Sequence, residues 1–192
     1  MAYKEDLRII RTRKLLSNTL LEMMEEDSIE KISVIDLCAK AMVNRATFYA
    51  HFEDKYHLLS FALEELKDEL YAQFTKDNKA TTPNETLRLV VKMAVEFFSE
   101  EKGHVSRILI NNRNGKVIST VQDSIAQSLR YQFSKFKDSY EIKVPTHILA
   151  SFIAGGLINS ALYCLDNPEK HTKEDLIAYA NLTGLDHYFV KK

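Results

Sequence analysis

Apolar residues recur along this chain at intervals of three and four, the spacing of one helix face, and no run alternates strongly enough to predict a strand. The pattern predicts a first helix from about Lys4 to Glu26, with Ile9, Leu16, Leu20, Met23 and Met24 as its inner stripe. Ser33 opens a short second helix, with Asp36 completing a weak capping box. Ala41-Met42-Val43 forms a tight turn, and Asn44 caps a third helix that runs through Phe52. Asp54 caps a long fourth helix to about Phe74, whose stripe is Leu59, Leu63, Leu66, Leu70 and Phe74. After a loop, Thr82-Pro83-Asn84-Glu85 combines a cap, a proline at the first helical position and an acid at the third. That helix buries Leu87, Val90, Val91, Ala94, Phe97 and Phe98. A short helix around Val105 to Ile110 precedes Asn111-Asn112-Arg113-Asn114-Gly115, which is turn chemistry. Another helix shows Val121, Ile125, Leu129, Phe133 and Phe136. Pro145 opens an uncharged helix closed by Asp166-Asn167-Pro168, and a last helix is expected from about Thr172 to Tyr188. The sum is an all-α chain of about nine helices. Its internal boundary is expected inside the long fourth helix, dividing 1–56 from 57–192.

Composition agrees with long helices, since 192 residues contain five glycines and three prolines. The net charge of −1 excludes a globally basic nucleic-acid binder, so any such binding must rest on local placement of charge. The first helix is polarised, with Arg8, Arg11, Arg13 and Lys14 in its first half and Glu22, Glu25 and Glu26 at its end. Cys38 and Cys164 lie far apart in apolar stretches, which predicts buried thiols in a reducing cytoplasm. The first residues are charged and lack the apolar core of a secretion signal. Eighteen residues from Ile148 to Leu165 carry no charge, a length that just reaches the threshold for a membrane span. Ser151, Asn159, Ser160 and two glycines moderate that stretch and favour a helix buried against its own core and against a partner, with no membrane.

Two short helices joined by a tight turn, after a longer one, make a helix-turn-helix, whose second helix enters the major groove of DNA. With Asn44 as the cap, Phe48 and Phe52 face the core, and Arg45, Ala46 and Tyr49 share the other face. Arginine can make a bidentate contact to guanine, and an alanine methyl can meet thymine. Thr47 is short enough to reach a base or a phosphate; Tyr49, His51 and Lys55 would donate to phosphate oxygens. Spacing alone leaves open a plain structural helix pair, in which the same two phenylalanines are simply core.

The stretch Ser33-Val34-Ile35-Asp36-Leu37-Cys38-Ala39-Lys40-Ala41-Met42-Val43-Asn44-Arg45-Ala46-Thr47-Phe48-Tyr49-Ala50-His51-Phe52-Glu53-Asp54-Lys55 resembles the DNA-binding half of the TetR/AcrR family of bacterial transcriptional regulators. The likeness runs from about Arg8 to Leu66. It departs at Met42, where the turn usually has glycine in a left-handed conformation, and at Ala50, where many relatives carry an aromatic that touches phosphate. The resemblance implies DNA contacts from Ser33, Asn44, Arg45, Ala46, Thr47, Tyr49, His51 and Lys55. The C-terminal part matches more weakly, through Phe152-Ile153-Ala154-Gly155-Gly156-Leu157 and the residues after it.

In this family the last two helices pair with the same two helices of a second subunit, which implies a homodimer on a palindromic operator. The interface is then expected at Phe152, Gly155, Gly156, Asn159, Leu176 and Tyr179, with close helix approach compensating the two mid-helix glycines. Family members often take a small-molecule effector among the middle helices, where Phe97, Phe98, Phe133, Phe152 and Tyr163 are the candidate lining. Phe136 and Tyr140 belong to the same aromatic set. His104, His147 and His171 show no ligand spacing, so no metal is expected, and no cofactor. No phosphate loop and no nucleophile with an evident base argue for an enzyme. The reading is a cytoplasmic, ligand-responsive repressor; the competing one is an adaptor or coactivator of the same fold that works through protein partners.

Overall fold

The computed structural model describes residues 7–75, 80–98, 104–113, 115–167, 169–171, 174–175, 177–178 and 184–192. Helix α1 spans Leu7–Glu26, α2 Val34–Lys40, α3 Arg45–His51 and α4 Lys55–Thr75. They are followed by α5 (Pro83–Phe98), α6 (His104–Asn111), α7 (Lys116–Ser134) and α8 (Thr146–Asp166). The class is all-α, as the periodicity predicts.

Caps explain most of these boundaries. The Ser33 hydroxyl accepts from the Asp36 amide at 3.1 Å and donates to the Asp36 carboxylate, so α2 starts where the capping box places it. At α5 the box is reciprocal. The Thr82 hydroxyl accepts from the Glu85 amide at 3.2 Å, while Glu85 Oε2 accepts from the amides of Thr81 (2.7 Å) and Thr82 (3.2 Å). Those bonds hold the Glu85 carboxyl below its ordinary pKa. Asp54 Oδ1 accepts from the amides of Tyr56 and His57, both at 2.8 Å, and so starts α4.

Two expectations need correction. A two-stranded antiparallel sheet pairs β1 (Tyr140–Ile142) with β2 (Phe189–Lys191), with Glu141 opposite Val190. The signal is present as Tyr140-Glu141-Ile142-Lys143-Val144, apolar and charged in turn, but its paired part is only three residues, too short to stand out as a strand. The last helix does not reach Tyr188. Residues 174–175 and 177–178 are helical, but Gly184 to Tyr188 turn back through bonds from the Tyr188 and Phe189 amides to the Leu185 carbonyl. Leu176 and Tyr179 lie outside the described residues.

The apolar stripes assemble into two cores. In the first, Leu16, Leu20 and Met24 of α1 meet Leu37 and Cys38 of α2, Phe48 of α3 and Leu58 and Leu59 of α4. Ile108, Val117, Val121 and Ile158 join it from α6, α7 and α8, so this core continues past residue 57. The second core holds Leu87, Val91 and Val95 of α5 against Leu129 and Phe133 of α7 and Ala150 and Ala154 of α8, closed by Leu185 and Phe189.

Helix α8 is long and apolar enough to cross a membrane by length and composition. Its Leu149, Ala150, Ala154, Ile158 and Ala161 face is buried within the chain, chiefly against α7. The opposite face is open: Phe152 is 73% exposed, Ile148 and Tyr163 are about half exposed, and Gly156 and Asn159 are exposed. A Cβ on Gly155 or Gly156 would meet no heavy atom within 4 Å. Among the described residues, the close approach expected to compensate these glycines is therefore not made.

Candidate nucleic-acid interface

Helix α3 is seven residues long and cannot hold itself together in water; its position is set by what it buries. Phe48 is fully buried and Phe52 nearly so, with ring centroids 5.9 Å apart, and both sit in the first core with Val43 packed beside them. Phe48 also meets Tyr49 edge-on at 5.2 Å. Removing Phe48 would cost about 3–5 kcal/mol by the usual large-to-small cost. Anchored this way, the helix turns Arg45, Ala46 and Tyr49 to solvent, with Tyr49 58% exposed. Thr47 and His51 are half-buried at the flanks. The Asn44 side chain caps the helix by accepting from the Ala46 amide at 2.9 Å.

The turn before α3 has a specific geometry. Val43 N–H donates to the Cys38 carbonyl (2.9 Å) and Met42 N–H to the Ala39 carbonyl (3.2 Å), the two bonds of a Schellman motif that closes α2. Met42 occupies its left-handed position at φ 52°, and its side chain is 93% exposed. The strain expected from the missing glycine is present, because a side chain in this conformation crowds its own backbone.

The predicted contact residues fall into two groups. Arg45, Ala46, Thr47 and Tyr49 lie together on α3, capped by Asn44, with Arg45, Ala46 and Tyr49 on its exposed face. Ser33 and Lys55 are partly occupied by structure. The Ser33 hydroxyl is engaged with Asp36 on both its donor and acceptor sides. The Lys55 ammonium donates to the carbonyls of Glu30 (3.0 Å) and Ile32 (2.8 Å), so it clamps the α1–α2 connection and keeps one N–H for an outside acceptor. Lys40 ends α2 and lies 3.9 Å from Glu22, a basic side chain beside the turn that belongs to no motif position. Cys38, buried beneath α2, has its thiol pKa pushed up by desolvation.

The aromatic set expected around an effector is divided among the described residues: Phe133, Phe136 and Tyr140 are linked through Phe189, while Phe152 and Tyr163 stand apart from them. Phe133 is buried in the second core against Phe189, with centroids 5.0 Å apart. Phe152 and Tyr163 face outward from α8, and the side chains of Phe97 and Phe98 lie outside the described residues. Among the described residues no group of three or more histidine, cysteine or acidic side chains is placed to hold a metal.

No family model matches the chain. It is 26% identical over 173 residues to the uncharacterized HTH-type transcriptional regulator YxbF of Bacillus subtilis, covering 89% of this chain and 44% of YxbF, less than half that protein's length. It is also 26% identical over 140 residues to the nucleoid occlusion factor SlmA of Escherichia coli, covering 71% of this chain and 67% of SlmA. Among solved structures, a TetR transcriptional regulator from Streptococcus agalactiae superposes with a TM-score of 0.60 at 21% identity, over 91% of this chain and 94% of that one. The chain thus has the fold of TetR-type transcriptional regulators, and a helix-turn-helix regulator among its sequence relatives.

Proposed function

We propose that this protein is a sequence-specific, DNA-binding transcriptional repressor that acts in the cytoplasm as a homodimer on a palindromic operator. The observation that carries this reading is the division of α3 into a buried Phe48–Phe52 edge and an exposed Arg45–Ala46–Tyr49 face. A short helix offered to solvent with a guanine-reading arginine near its N-terminus is the geometry a major groove accepts. Tyr49, His51 and the remaining N–H of Lys55 surround it as phosphate donors, which position without reading sequence, and Ser33 joins them only by releasing the Asp36 carboxylate.

Dimerisation is assigned to the open face of α8. An uncharged stripe of Ile148, Phe152, Gly155, Asn159 and Tyr163 lies opposite the face buried in the chain. The two glycines present bare backbone there, which lets a second copy of the helix approach closely. Leu176 and Tyr179 complete this interface in the proposal. A small-molecule effector acting among the middle helices would favour one separation of the two reading heads over another.

The test is selection of genomic DNA fragments by the purified protein at ~150 mM salt, where non-specific binding is weak. A recovered palindrome supports the reading, and Arg45→Ala is then expected to cost ~1–3 kcal/mol on that site and to relax the preference at one position. A folded, dimeric protein that enriches no sequence would refute it and favour the protein-adaptor reading.

A further inference from the structure

The turn between α6 and α7 looks unremarkable in sequence, yet three parts of the molecule are tied to it. Asn112 is 2% exposed. Its Oδ1 accepts from the Ile29 amide at 2.7 Å, and its Nδ2 donates to the Ile108 carbonyl at 2.7 Å. Ile29 belongs to the connection from α1 to α2, at the base of the reading head. Next to it, Asn111 Nδ2 donates to the Glu25 carbonyl at 2.8 Å, and Arg107 pairs with the Glu25 carboxylate at 2.6 Å. On the other side, Arg113 grips Asp166, the last residue of α8, through two parallel bonds of 2.8 and 2.6 Å. Planar fork-to-carboxylate pairing of this kind fixes orientation as well as distance.

Lys55 also holds the α1–α2 connection, through the carbonyls of Glu30 and Ile32. Lys116, at the start of α7, lies 4.5 Å from the ring centroid of Tyr56. The head is therefore attached to the body by the continuous helix α4, by α6 and α7 packed against it in the first core, and by this turn. Apolar packing is non-directional and leaves small rotations weakly determined. The directional bonds of the turn remove that freedom.

We propose that Asn111, Asn112 and Arg113 form the joint that sets the angle of the reading head relative to α8, and thereby the separation of the two reading helices in the dimer. The joint rests on the dimeric DNA-binding reading above. Asn112 holds the head side through a buried amide with both its ends engaged. Arg113 holds the α8 side through an ion pair that is partly exposed, so its removal changes geometry with little effect on folding. These are positioning residues, since none of them lies on the exposed face of α3.

The experiment separates half-site affinity from spacing. Wild-type protein is first used to select from a random duplex library, which yields the half-site and its native separation. Duplexes are then made with one half-site alone, with two at the native separation, and with two shifted by successive base pairs. Wild type is expected to prefer the native separation by about five- to hundredfold, the range of ordinary coupling between sites. Arg113→Gln and Asp166→Asn should each bind the single half-site as wild type does and lose most of the spacing preference. The exchanged pair, Arg113→Asp with Asp166→Arg, should restore it. Unchanged spacing preference in the folded, dimeric single variants overturns the joint while leaving the DNA reading intact. Equal loss on single and paired half-sites, without rescue by the exchanged pair, also overturns it by showing a merely structural role. A wild type that selects no sequence removes the DNA reading, and the joint with it.

Discussion

Met42 offers a substitution whose effect can be worked out from the backbone alone. It sits at the left-handed position of the turn between α2 and α3, at φ 52°. A non-glycine residue there carries about 1–2 kcal/mol of strain. Glycine removes that strain and adds about 0.5–1 kcal/mol of lost chain entropy on folding. Because the methionine side chain is 93% exposed, its removal sacrifices almost no packing. Both Schellman bonds, to Ala39 and Cys38, use backbone atoms that the substitution leaves in place. The net expectation for Met42→Gly is about 0.5–1 kcal/mol of added stability, or a rise of roughly 1–4 °C in Tm for a chain of this size. Met42→Ala is the control: it deletes the same side chain and keeps a Cβ, so its stability should stay within about 0.5 kcal/mol of wild type. Thermal unfolding followed by circular dichroism, on all three proteins at one protein concentration, reads the difference. A Met42→Gly protein no more stable than Met42→Ala would refute the strain argument, because the two differ only in the Cβ.

Three further outcomes are expected. Lys55→Met should lower stability by about 1.5–3 kcal/mol through the lost charged bonds to Glu30 and Ile32 as well as weaken DNA binding, so the two effects must be read separately by urea unfolding and by salt-dependent titration. Phe152→Glu should leave helix content unchanged and convert the dimer to monomer in sedimentation; a persistent dimer would place the interface elsewhere. The Glu85 and Asp166 carboxyls are held below their ordinary range, Glu85 by the Thr81 and Thr82 bonds and Asp166 by Arg113. Their contribution is therefore complete above about pH 4, the unfolded value, and is lost as pH falls through the lower folded values. Glu85→Gln should accordingly be less stable than wild type at neutral pH and converge on it in acid; a gap that persists in acid would contradict the assignment.

The helices were legible because their signals are local. Ser33, Asn44, Asp54 and Thr82 each sit one residue before the helix they start, and the stripes of α1 and α4 lie three and four residues apart. Met42 was legible only through the resemblance, which places glycine at that position of the turn where this sequence has methionine. What escaped was non-local. The β1–β2 pairing joins short segments that are nearly fifty residues apart in the chain, and neither is persuasive alone. Asn112 reads as a turn residue because its partner, Ile29, is 83 residues away. Lys55 matched a phosphate-contacting position, yet no spacing rule says that two carbonyls of another connection already occupy its ammonium. The outward aim of Tyr163 was hidden too, and Phe152 stood in both the expected interface and the expected effector lining, since an uncharged helix gives no polar stripe from which to read its faces.

The small sheet matters for the order in which the molecule comes apart. Tyr140 and Lys191, at one end of the register, and Ile142 and Phe189, at the other, fasten a long loop that contains all of α8. Closing a long loop carries an entropic cost that short-range helix contacts do not. Such a clasp is formed late and released early. Its opening frees Phe189 from Phe133 and loosens the second core without touching Phe48 or Leu20. In native-state hydrogen exchange, the strand amides should therefore trade their protons ahead of α1 and α4, dividing the protein into an outer unit that breathes and an inner one that holds α2 and α3 still.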